Sequence, residues 1–331
     1  MRNSREAEKA RPSRRQVLAA ALAGAFQSAF AADAPWPQQP IKLVIAYPPG
    51  GGGDSVGRPL SMALEQKLGV PVILDYRPGA GGTIAAQSVI HSKNDGYVLY
   101  LADNGAISVA TSYRSVGYAP RDFTYIGGIG ELLLVLVVNP AVPANDIREL
   151  VQLSRTRPKG LSYASGGSGS ISHLLTELMK LEQRMVTEHI AYKGAGLAVT
   201  DLIAGVVDYA FLAPSGVMPH VANGRLKALA ITSRDRFAGM PQVATVAELG
   251  FPSLQSAYIS GLLAPGKMPE AVAAKLATAF QSVMADPALR KALEATGLIV
   301  EYRTGAQAQA IFEKDFEKWR NLIAAAKLKL E

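Results

Sequence analysis

The chain contains no cysteine. Disulfides, thiolate-bound metals, a cysteine nucleophile and a lipid-modified N-terminal cysteine are therefore excluded. Histidine is scarce: His91, His173, His189 and His220 are the only four, and their spacing suits no metal. Aromatic residues make up 7% and charged residues 18%, against 49% hydrophobic. That balance describes a globular chain with a sizeable core, and 331 residues suffice for two domains or one large one. Long apolar runs are also missing. Glu131–Val138 is the most hydrophobic stretch past the leader and stops at Asn139-Pro140, too short for a membrane helix. The formal charge of +7 is uneven. Residues 1–31 hold about +4 of it, and the rest shows no basic run interleaved with aromatics, so no nucleic-acid partner is expected.

Residues 1–31 read as a secretion signal. The start is basic, Val17–Phe26 is a short apolar stretch, and Ala29-Phe30-Ala31 is a small-residue cleavage site. Ser13-Arg14-Arg15-Gln16-Val17-Leu18 resembles a twin-arginine pattern, and the general secretory route is equally compatible. The mature chain is expected in the periplasm, soluble after cleavage.

What is present in excess is glycine, 31 residues, concentrated after apolar runs. The organising stretch is IKLVIAYPPGGGGD, Ile41–Asp54. Its apolar, β-branched start reads as a buried strand that Pro48-Pro49 terminates. Gly50–Gly53 then give a bare backbone that a ligand can approach, and Asp54 and Ser55 are expected to cap the helix that follows. Free N–H groups and the positive end of a helix dipole make this an anion site. The pattern recurs. Val70–Tyr76 reads as a strand, Arg77-Pro78-Gly79-Ala80-Gly81-Gly82-Thr83 as a second glycine loop, and Tyr97–Ala102 as a third strand that leads to Asp103–Gly105. Strand–helix alternation predicts a mainly parallel sheet flanked by helices, with these loops side by side on its carboxyl rim. A second α/β unit starts at Leu161, with Ser165–Ser170 as its small-residue loop.

Two chemistries compete with simple binding. Ser168 and His173 suggest a Ser–His pair, but no G-x-S-x-G elbow surrounds a serine and no acid is placed to orient the histidine. No catalytic residue and no metal site is assigned. Gly50–Gly53 with Asp75 at the end of the next strand suggests an exported dinucleotide-binding oxidoreductase. Pro48-Pro49 interrupts that turn and no catalytic set accompanies it.

Six pieces of sequence, in order, carry a resemblance. They are Pro40–Val44 with Tyr47–Gly51 and Asp54, Arg77–Gly82, Asp95-Gly96-Tyr97, Ser172-His173, Tyr192–Ala195 with Asp201-Leu202, and Ala264-Pro265-Gly266. Together they resemble the periplasmic solute-binding proteins of tripartite tricarboxylate transporters, the Bug-type receptors. The resemblance implies an α/β, two-lobed periplasmic-binding-protein type II (Venus flytrap) fold. It also implies a receptor, not an enzyme, that binds small carboxylates without a cofactor, as a monomer, for a membrane component of such a transporter. The expected division is 32–136 and 262–331 for lobe 1 and 137–261 for lobe 2. One departure is the apolar run Tyr209–Ser215, where the family pattern leads one to expect a polar group; it implies an apolar wall in lobe 2. The expected ligand contacts are Tyr47, Pro49, Gly50, Gly51, Gly52, Asp54, Gly79, Gly81, Gly82, Thr83 and Asn104 in lobe 1. Those in lobe 2 are Ser165, Ser168, Ser170, His173, Tyr192 and Phe211.

Overall fold

The structure, a computed structural model, describes residues 36–326. The leader expected at residues 1–31 lies outside the described residues. Strand β1 (Ile41–Ile45) is buried at every position but Lys42, as its apolar run requires. It pairs in parallel with β2 (Val72–Tyr76) on one side and β3 (Val98–Asp103) on the other. Helices α1 (Gly52–Leu68) and α2 (Thr83–Ile90) make the crossovers. After β3 a wide helical turn, Gly105–Val109, runs into the short α3 (Ala110–Tyr113). Strand β4 (Phe123–Leu133) then enters the same sheet.

Leu134 alone separates β4 from β5 (Val135–Val138), which belongs to a second sheet. That sheet collects α4 (Ile147–Thr156), β6 (Leu161–Ser165), α5 (Ile171–Glu182), β7 (Thr187–Ala191) and α6 (Ala195–Ala204). It continues with β8 (Tyr209–Leu212), α7 (Pro214–Ala222) and β9 (Lys227–Ile231), and its strand order is β7-β6-β8-β5-β9. The chain returns through β10 (Ala257–Pro265), antiparallel to both β3 and β4, and adds β11 (Leu298–Thr304) at the edge. The first sheet thus reads β11-β4-β10-β3-β1-β2. The opposed strands are β10 and β11 in the first sheet and β5 in the second; the others run one way, a mainly parallel arrangement in each lobe. Helices α8 (Glu270–Met284), α9 (Pro287–Glu294) and α10 (Gly305–Ala326) end the chain. Trp319 on α10 joins the core that contains Tyr163, Tyr209 and Phe211 of the second lobe.

The two passages between sheets are tied to each other. Leu134 N–H donates to Thr232 Oγ1 and Thr232 N–H donates to the Leu134 carbonyl, both at 2.9 Å. Helix α1 starts two residues before the expected Asp54 cap, with Gly51 as its N-cap and no side-chain cap. The reason is that Asp54 is engaged elsewhere. It accepts from Gly50 N–H at 2.9 Å, Tyr76 Oη at 2.6 Å and Arg58 Nε, and so braces the glycine loop against β2. Burial alone would raise its pKa; these donors outweigh it and hold the carboxyl below its ordinary value.

Candidate functional site

The carboxyl ends of β1 and β3 face the second lobe across a cavity of about 70 Å³. Lobe 1 contributes Ile45–Tyr47, Gly51–Gly53, Val56 and Leu101–Asp103. Lobe 2 contributes Gly166, Ser172, Ala195 and Phe211–Ala213. The passages between sheets supply Leu132, Leu134, Tyr258 and Ser260 as the floor.

Four helix starts meet there. The first turn of α1 (Gly51–Gly53), the start of α5 (Ser172), the start of α6 (Ala195) and Ala213, just ahead of α7, all line the cavity. A helix start presents N–H groups without an intrahelical acceptor and the positive end of a dipole; at α5 Ser170 Oγ already takes the His173 N–H, and α7 opens on Pro214, which has none. No lysine, arginine or histidine lines the cavity. The rest of the wall is largely aliphatic, which excludes water and strengthens whatever electrostatic contacts a ligand makes. The arrangement can hold an anion by backbone donors and dipoles.

The polar side chains on the wall are Asp103, Tyr47, Tyr258, Ser172 and Ser260. Asp103 is buried at the end of β3 and its Oδ1 accepts from Ala106 N–H at 3.2 Å, capping the helical turn that follows. Burial pushes its carboxyl up to about 6, against the opposing pull of the Ala106 and Gly105 N–H groups and of Tyr47. The Tyr47 hydroxyl is buried beside Asp103; that contact is electrostatic, since no hydrogen bond to the hydroxyl is well formed. Tyr258 Oη reaches Ser172 Oγ at 3.5 Å, bridging the two lobes.

Of the residues expected from the sequence, Tyr47, Gly51, Gly52 and Phe211 line the cavity. Pro49 and Gly50 face solvent on the outer side of the loop, and Asp54 braces it. Gly79, Gly81, Gly82 and Thr83 do not line the cavity. A Cβ on Gly81 would stand 2.6 Å from the Ser168 carbonyl oxygen, so this loop closes directly on the opposite lobe. Thr83 Oγ1 donates to the Ala80 carbonyl within the same loop. Asn104 is turned away. Its Nδ2 donates to Asp315 at 3.0 Å, and its Oδ1 accepts from Ile259 N–H at 3.1 Å.

In lobe 2, Ser165 Oγ is bonded to His189 Nε2 at 2.6 Å, and Ser170 caps α5. His173 accepts from Gly169 N–H and stacks on His189, with ring centroids 4.1 Å apart, inside the lobe. Burial pushes His173 down to about 4. Tyr192 donates to Asp201 at 2.6 Å, outside the cavity. Sequence reasoning named the Asp103–Gly105 rim but chose Asn104 over Asp103, and it missed Ser172 as a lining residue along with Tyr258 and Ser260. The last two sit on β10, and nothing local announces that this strand returns between β3 and β4. Among the described residues no group of three or more His, Asp or Glu is arranged to hold a metal ion.

Comparison with known proteins shows the family and the fold. The model for the tripartite tricarboxylate transporter family receptor matches residues 56–328. The chain belongs to that receptor family. Protein BugT of Bordetella pertussis is 32% identical over 299 residues, covering 89% of this chain and 92% of that one. The solved periplasmic binding protein BugD superposes with a TM-score of 0.85 at 27% identity, over 89% of this chain and all of that one. MatC from Rhodopseudomonas palustris, solved with bound malate, gives 0.83 at 26% identity, over 87% of this chain and all of that one. The fold is accordingly the two-lobed type II binding-protein fold, and the relationship is to the Bug-type receptors. No helix among the described residues is long and apolar enough to cross a membrane.

Proposed function

We propose that the protein captures a small carboxylate-bearing ligand between its lobes and presents it to a tripartite tricarboxylate transporter membrane component. The observation that carries this is the convergence of four helix starts on one interlobe cavity whose wall holds no basic side chain. Relatives support it: the similar R. palustris proteins were solved with malate and with adipate. The leader directs the protein to the periplasm, where it acts as a soluble monomer without chemistry of its own. Because both lobes supply wall, ligand favours the closed form, and closure is what a membrane partner reads.

The dinucleotide reading has no support. The cavity of about 70 Å³ is far below what a dinucleotide fills, and Asp75 is paired with Arg77 at 2.8 Å. A thermal-shift and calorimetric screen of mono-, di- and tricarboxylates, amino acids, NAD and NADP tests the proposal. A true ligand at a hundredfold excess over its dissociation constant stabilises the fold by about 2.7 kcal/mol. Stabilisation by NAD with none by any carboxylate would refute it.

A further inference from the structure

Asp103 is the one carboxylate on a cavity wall that holds no cationic side chain. It is 8% exposed, and the donors that reach it are the Ala106 and Gly105 N–H groups and, weakly, the Tyr47 hydroxyl. An ionised carboxylate has about four acceptor positions, so part of its demand is unmet. A buried charge without a partner is costly, and a like charge beside it is worse. A dianionic ligand would add two negative charges to this space, with backbone dipoles alone to balance all three. An ammonium reverses the problem, since it is a donor-only cation and the hydroxyls of Tyr47, Tyr258 and Ser260 line the same wall.

Resting on the carboxylate reading above, we propose that the ligand is a zwitterion, with its ammonium on Asp103 and its carboxylate at the helix starts. The apolar Phe211–Ala213 wall of lobe 2 fits this arrangement, because the cation is met from lobe 1. Capping of the Gly105–Val109 turn does not itself require a charge: an asparagine or serine oxygen accepts from Ala106 N–H equally well.

The test is calorimetry with the mature protein. The standard α-amino acids, 4-aminobutyrate and glycine betaine are compared with their amine-free carbon skeletons and with succinate, malate, adipate and citrate. At least one zwitterion should bind ten times or more tightly than its amine-free counterpart and than every dianion. Asp103→Asn and Asp103→Ser should each weaken that zwitterion at least tenfold while keeping the apo melting temperature near wild type.

A second reading needs no variant. The titratable groups facing Asp103 are the hydroxyls of Tyr47, Tyr100, Tyr118 and Tyr258, all pushed up by burial, so none changes charge between pH 5 and 8. Asp103 itself gains a proton there, so zwitterion affinity should fall about tenfold from pH 7.5 to pH 5, and this dependence should vanish in Asp103→Asn. If a dicarboxylate binds best and tightens on acidification, or if Asp103→Asn leaves amino-acid binding unchanged, the zwitterion assignment is overturned while the carboxylate site stands. If no carboxylate binds in any form, both fall together.

Discussion

Replacing Gly81 by alanine separates two things that a glycine does here. Gly81 has φ +64°, a left-handed conformation that costs an alanine about 1–2 kcal/mol. Its added Cβ would also stand 2.6 Å from the Ser168 carbonyl oxygen and 3.4 Å from the backbone of Gly169 and Ser170. Those are backbone atoms of the opposite lobe, immediately ahead of α5, and they cannot rotate aside. Gly50 supplies the control. Its φ is +85°, and a Cβ there meets nothing within 4 Å. Gly50→Ala therefore carries the conformational cost alone.

The conformational cost is paid whether the lobes are open or closed, so it lowers stability and cancels from affinity. On the proposed mechanism the collision belongs to the form with the lobes together, where Gly81 approaches Ser168 as it does in this structure. Overpacking of this kind costs about 1–3 kcal/mol, and a middle value of about 2 kcal/mol reduces the closed population roughly thirtyfold. Apparent affinity falls by the same factor, because only the closed state completes the site. Differential scanning calorimetry of the apo proteins should show similar small losses for both variants. Titration with the carboxylate that most stabilises the wild type should show Gly50→Ala within about twofold of it and Gly81→Ala at least tenfold weaker. Equal affinities for all three proteins would mean that the Gly81–Ser168 approach is not part of the liganded form.

Two further outcomes follow from side chains that the cavity does not use. Asn104→Leu strands Ile259 N–H and the Asp315 carboxyl, each worth about 1–3 kcal/mol when buried, so urea denaturation should show a loss of at least 2 kcal/mol; a loss below 0.5 kcal/mol would refute that role. His173 and His189 are both pushed down, first by burial, so the unfolded chain binds protons that the folded one refuses; their contribution to stability is present above about pH 6.5 and is lost as pH falls toward 4. A proton NMR titration should keep the His173 ring neutral to about pH 4, and a midpoint near 6.5 would contradict the buried stack.

What the residues announced and what they hid divides by distance along the chain. Strand, glycine turn and helix in Ile41–Leu68 are local, set by β-branching, Pro48-Pro49 and four glycines, and the structure has them where the pattern puts them. The second α/β unit is equally legible from Leu161 onward. The start of α1 was misplaced because Asp54 reads as a cap; Arg58 is its neighbour one turn on, but only the fold brings Tyr76 to it. Likewise His173 was assigned to the rim from its place in the first turn of α5. Its ring turns inward because Tyr163 and His189, on two different strands, offer a stacking surface there. Asn104 is bonded to Asp315, more than two hundred residues away, a pairing no local pattern encodes.

The floor of the cavity lies where the chain crosses between the lobes. Leu132 and Leu134 lie on the outward passage, and Tyr258 and Ser260 on the return. The reciprocal Leu134–Thr232 hydrogen bonds hold the outward passage to the end of β9, and Ser256 N–H donates to the Thr232 carbonyl at 3.2 Å, adding the return. Tyr47, the α1 start and Asp103 belong to lobe 1, where β1 and β3 are neighbours in one sheet. The starts of α5, α6 and α7 belong to the opposite wall. Lobe 1 alone carries an ionisable group for a ligand's polar end, while lobe 2 adds dipoles and the Phe211 face. Under the function proposed above, discrimination between ligands of different charge falls to the lobe 1 wall.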